Sequence, residues 1–147
     1  WEGKRSGWAL VAMCREPGSF TPIHAHPHRL LGKAIEGVIE ELRFTEHGAT
    51  DVEVQSRAVL GHDELVETDG LATLHVVRVV GRGTAIDLQL RGPEVGSPGR
   101  RLRTLAPVDF ATLTVGTHLA VEEEIDDRPG HGGEGASAGR VSAQAAP

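Results

Sequence analysis

The chain has 147 residues, 39% of them hydrophobic and 24% charged, with a formal net charge of −6. Such a length supports one domain with a core of its own, and no apolar run reaches the ~20 residues that a membrane-spanning helix needs. The negative balance comes without a basic stripe, so the sequence predicts a soluble protein with neither a nucleic-acid nor a membrane partner. Cys14, the single cysteine, cannot close an internal disulfide, and no cysteine pair suggests a zinc knuckle. That usage fits the reducing cytoplasm.

In chain order, Trp8 to Cys14 is an apolar run closed by Glu16-Pro17-Gly18 and reads as a buried strand, with Cys14 as core filler. His24 and His26 follow on an extended stretch. Side chains of a strand alternate faces, so the two imidazoles project from one face and could share one ion. The bland alternative is a solvated, histidine-rich turn in a chain with eight histidines. Pro27 cannot donate to a strand ladder and interrupts the strand after His26. His28 is therefore expected at an exposed rim, although its parity would also allow a fourth ligand. Leu30 to Ile35 and Val38 to Phe44 are apolar-rich runs separated by Glu36-Gly37, a spacing that predicts a tight hairpin. In the second run Val38, Leu42 and Phe44 alternate with Ile39, Glu41 and Arg43. Glu40 breaks that pattern, and both Glu40 and Glu41 read as surface strand residues.

After polar turn material, Val52, Val54, Ala58 and Leu60 mark a half-buried strand. Asp69-Gly70 signals a turn into Leu71 to Val80, the most β-prone run in the chain. His75 lies on it, and a lone histidine on an apolar strand is more often a satisfied core residue than a ligand. Ala85 to Arg91 alternates strictly until Gly92-Pro93, and by alternation alone Asp87, Gln89 and Arg91 form an ordinary solvated face. Residues 96–101 read as a loop. One or two further strands fit between Leu102 and Leu119, and Glu122-Glu123-Glu124 reads as solvated. From Asp126 onward little can be buried, so residues 126–147 are expected to be a disordered tail whose His131 is no ligand. Short strands at regular spacing, with no convincing helical period, predict an all-β sandwich or barrel over residues 1–125.

Gly18, His24, His26 and Gly37 fall on the spacing of the first motif of the cupins, which runs glycine, five residues, His-x-His, three or four residues, glutamate, six residues, glycine. The sequence thus resembles the cupins, and the resemblance implies an all-β, cupin-type double-stranded β-helix, a jelly-roll barrel. Counted back from Gly37, the glutamate position holds Leu30. A subgroup without this glutamate binds iron through three histidines: the thiol dioxygenases, typified by cysteine dioxygenase. Pro17-Gly18, His24-Ala25-His26 and residues 35–41 resemble their first motif, and Asp69 to Val77 resembles the strand that brings their third histidine, here His75. The resemblance spans residues 8–93.

It implies a ferrous ion on His24, His26 and His75, with zinc, nickel or manganese as alternatives. It also implies oxidation of a small thiol, or another small chelating acid, by dioxygen; for a thiol the product is a sulfinate. In cysteine dioxygenases the next strand turns a serine, a histidine and a tyrosine toward the iron, and the matching positions here are Asp87, Gln89 and Arg91. Those three are the candidate catalytic residues. Arg91 could hold a substrate carboxylate with its planar fork, and Gln89 could hydrogen-bond a ligand. Leu30 stands near the position of a cysteine that the animal enzymes cross-link to that tyrosine, so no such cross-link forms here. Two other readings stay open: a non-redox metal cupin acting as isomerase, cyclase or hydrolase, and a small-molecule binding cupin without catalysis. Cupins often dimerise through their sheets, so the resemblance allows a homodimer without fixing the oligomeric state.

Overall fold

A computed structural model describes residues 7–62, 64–93 and 99–124. Among them are ten strands: β1 (Ala9–Arg15), β2 (Ile23–Ala25), β3 (Leu30–Glu36), β4 (Val38–Glu46), β5 (Asp51–Leu60), β6 (Leu65–Thr68), β7 (Leu74–Val80), β8 (Ala85–Arg91), β9 (Arg100–Thr104) and β10 (His118–Glu123). A 3₁₀ turn at Gly70–Ala72 leads into β7. The strands form a four-stranded sheet in the order β1-β8-β3-β6 and a closed barrel in the order β10-β5-β4-β7-β2-β9. Every pairing is antiparallel. The all-β expectation is met. The expected tail, with His131, lies outside the described residues, and no described helix is long and apolar enough to cross a membrane.

The main core fills the barrel. Ile23, Leu42, Val54, Val76, Leu102 and Val121 are almost wholly buried there, and each contributes on the order of 1.5–3 kcal/mol through burial. The opposite faces of β2, β4 and β7 turn toward the four-stranded sheet, across a cavity. A smaller cluster of Ala34, Ile39, Val79 and Ala85 joins the two sheets. The inner strands of the barrel are therefore covered on both sides.

That arrangement corrects four expectations. Glu40 and Glu41 are not surface residues: they are 2% and 3% exposed, because β4 has no solvent face along its middle. Glu40 is bracketed by Arg57, whose Nε donates at 2.6 Å, and by Arg78. Glu36-Gly37 is not a hairpin, since β3 belongs to the sheet and β4 to the barrel. Gly37 carries the crossing at φ +73°, where a Cβ would lie 2.6 Å from the Thr84 carbonyl oxygen; only glycine combines that torsion with so close a passage. The run from Trp8 is a sheet edge whose outer face has no cover among the described residues. Leu10 is 70% exposed and Cys14 is exposed rather than core filler. Lastly, β9 starts at Arg100 where a loop was expected, which brings Arg101 opposite His24.

Candidate metal centre

His24 on β2 and His75 on β7 are direct cross-strand partners, and His26 lies just past the end of β2. Alternation puts Ile23 and Ala25 into the barrel core and the histidines on the cavity side. One ring nitrogen from each of His24, His26 and His75 lies within 4.8 Å of the other two. Ring centroids are 4.5 Å apart for His24 and His75, 4.7 Å for His24 and His26, and 5.2 Å for His26 and His75.

Hydrogen bonds set two of the tautomers. The Pro22 carbonyl oxygen can only accept, so His24 Nδ1, 3.0 Å away, carries the proton and Nε2 the lone pair. His75 Nδ1 donates to Glu41 Oε1 at 2.7 Å. Burial pushes the Glu41 carboxyl up, but the His75 hydrogen bond, the His75 charge and Arg43 outweigh it and hold the group below the usual carboxylate range. Glu41 is thus an anion that only accepts, which fixes a proton on His75 Nδ1 and leaves Nε2 as the ring nitrogen turned to the site. That atom faces His26 Nε2 at 3.1 Å. Two imidazole nitrogens at that distance call for a proton or a cation between them. This donor set suits a single divalent ion of the ferrous or zinc type.

Burial, with the positive charges of His24, His75, His28 and Arg91 adding to it, pushes His26 from 6.5 down to about 2. It therefore stays neutral at physiological pH, as a metal ligand must. The unfolded chain takes up this proton below about pH 6.5 and the folded chain does not until about pH 2. The associated stability is present above 6.5 and is lost on acidification. Urea unfolding of the metal-free protein is expected to show stability falling below pH 6.5, with a slope of up to about 1.4 kcal/mol per pH unit. His26→Gln should flatten that slope.

Glu41 was missed in the sequence, where only its parity with Ile39 and Arg43 hinted that it shares a face with the site. It is a positioning residue for His75, and a second oxygen of the same carboxylate accepts from Arg43 Nε at 2.9 Å. Glu41→Gln is expected to weaken metal binding about 10–100-fold, the usual effect of losing such a partner. Competition with a chromogenic chelator measures it.

His28 is 8% exposed rather than at an open rim. Its ring stacks at 5.4 Å from His26, while the three-histidine group does not include it. Pro27 breaks the strand before it, and the chain then packs under Gly70, whose Cβ position would meet His28 backbone at 3.5 Å.

Asp87 and Gln89, each 6% exposed, line the cavity rather than facing solvent. They form a chain on β8: Arg15 Nε donates to Asp87 at 2.7 Å, Gln89 Nε2 donates to Asp87 at 2.7 Å, and the Arg91 guanidinium donates to Gln89 Oε1 at 2.8 Å. Arg91 thus acts on Gln89, and it is Arg15, unremarked in the sequence, that reaches the cavity from β1. The cavity measures about 600 Å³.

No model of a known protein family matches the sequence, and no curated protein does. Solved structures do resemble it. A protein with a double-stranded β-helix domain from Klebsiella pneumoniae superposes with a TM-score of 0.51 at 16% identity, over 65% of this chain and 70% of that one. The fold is a cupin double-stranded β-helix. DMSP lyase DddQ from Ruegeria pomeroyi shares it with a TM-score of 0.50 at 19% identity, over 64% of this chain. The present chain spans 42% of the length of that lyase.

Proposed function

We propose that this cupin is a metal-dependent enzyme in which His24, His26 and His75 hold one divalent ion, ferrous iron, at the wall of a substrate cavity. The observation that carries the reading is the convergence of three ring nitrogens within 4.8 Å, two of them with the proton directed away on Nδ1. Bound ferrous iron supplies a Lewis acid for a thiolate and a redox partner for dioxygen. The chain's own residues do the rest. Glu41 fixes the proton on His75 Nδ1, and the two sheets hold the substrate away from bulk water. Asp87 and Arg15 present a paired charge to it, with Gln89 steadied from both sides.

The reaction class supported by the motif at Pro17-Gly18, His24-Ala25-His26 and Gly37 is oxidation of a thiol to a sulfinate. Both atoms of dioxygen end on sulfur, which supplies the electrons that dioxygen takes up. Metal analysis of anaerobically purified protein, then oxygen uptake with cysteine, 3-mercaptopropionate and cysteamine, tests it. Iron at about one per chain with oxygen consumed on a thiol is the expected result; iron without oxygen uptake on any thiol overturns the thiol reading and spares the metal site.

One observation favours a second reading. Asp87 puts a buried carboxylate on the wall of the same cavity as the histidines, where thiol dioxygenases carry a serine, and a carboxylate in a cavity with a Lewis-acidic ion suits proton abstraction. A non-redox isomerase, cyclase or hydrolase with zinc, nickel or manganese would show zinc-supported turnover without oxygen, lost in Asp87→Asn.

A further inference from the structure

The cavity beside the histidines is larger and more apolar than a three-carbon thiol requires. Its volume of about 600 Å³ falls within the range, about 300–1,000 Å³, of sites that enclose drug-sized ligands. Met13, Ile39, Leu60, Val66 and Val77 give it apolar walls. A small polar substrate would leave those walls wetted, whereas an apolar body would displace the water.

One polar feature lies on the same walls. Arg101 is half-buried, lines the cavity opposite His24, and makes no ion pair with any described residue. Glu124 is its neighbour across the strand pair, where its amide donates to the Arg101 carbonyl at 2.9 Å; the two side chains do not form an ion pair, although both line the cavity. An arginine fork held beside a metal site and left without a carboxylate partner is suited to bind one from a ligand.

We propose that the cavity binds an amphipathic organic carboxylate, its head between Arg101 and the histidine cluster and its apolar body along Ile39, Leu60, Val66 and Val77. The proposal names the substrate class of the enzyme proposed above and rests on that reading for its catalytic meaning, but the binding it requires does not need the metal.

Calorimetric titration of the full chain, metal-free and iron-loaded, with decanoate, butyrate and decylammonium tests it. Decanoate is expected to bind one per chain, at least tenfold tighter than butyrate or decylammonium. Arg101→Gln should weaken decanoate at least fivefold, and Val66→Trp, which fills the cavity, should abolish its binding. Leu60→Phe serves as a second filling variant if Val66→Trp does not fold. Decanoate no tighter than butyrate, no tighter than decylammonium, or unaffected by Arg101→Gln overturns the proposal. Binding retained by a folded, cavity-filled variant also overturns it, because that binding is surface adsorption. Metal content of the same preparations is read separately. Decanoate binding without metal retention would overturn the enzyme reading alone, and metal retention without decanoate binding would overturn this one alone.

Discussion

Replacing His75 by alanine is expected to reduce bound metal from about one ion per chain to less than about a tenth of that, while the fold persists. Three imidazoles are the whole donor set among the described residues, and two remaining ligands leave an ion exchanging with buffer. The same substitution strands Glu41, which is 3% exposed and loses the hydrogen bond that offsets its burial. Arg43 still pairs with it at 2.9 Å, so the chain retains a counter-charge there and stability should fall by only about 1–3 kcal/mol. Metal analysis with urea unfolding separates the two effects. Full metal occupancy in His75→Ala would overturn the assignment of three histidines.

Glu40→Ala is expected to cost on the order of 3–5 kcal/mol of stability. Its carboxylate is 2% exposed and sits between Arg57 and Arg78. Removing it leaves two guanidiniums partly desolvated without their anion. Arg57 Nη1 also donates to the Leu113 carbonyl at 2.7 Å, so the pair ties β4 to the segment between β9 and β10 and the loss reaches across the barrel. The comparison is Glu122→Ala, which breaks an exposed pair with Arg103 and should change stability by less than about 1 kcal/mol. Equal effects of the two would show that the buried triad contributes nothing special.

The strands were legible because their side chains alternate and because glycine, proline and aspartate punctuate them. His24 and His26 were legible for the same reason: a two-residue period needs no tertiary knowledge to put both rings on one side. Glu40 and Glu41 were misread by a rule that usually works, namely that adjacent carboxylates on a strand face water. The rule fails when both faces of a strand are covered, and much of that covering comes from β8, β9 and β10, far away in sequence. The hairpin expected at Glu36-Gly37 fails for a related reason, since a glycine at positive φ can serve a tight turn or a crossing between sheets, and only the pairing partners distinguish them. Asp87 and Gln89 had a face that alternation defined but could not orient. Arg15 and Arg101 carried no local signal, because what distinguishes them is the cavity they border.

The wall that β2 and β7 form between core and cavity ties two properties to one register. Leu74 and Val76 fill the barrel while His75 and Val77 face the cavity. A slip of one residue in β7 would take the imidazole out of the metal site and push it into the apolar interior, while turning two aliphatic side chains toward the ion. Misregistered forms are therefore penalised twice, and a bound metal ion selects the correctly paired strand as well as occupying it. Loading the ion during refolding should then proofread β-pairing, in addition to completing a site.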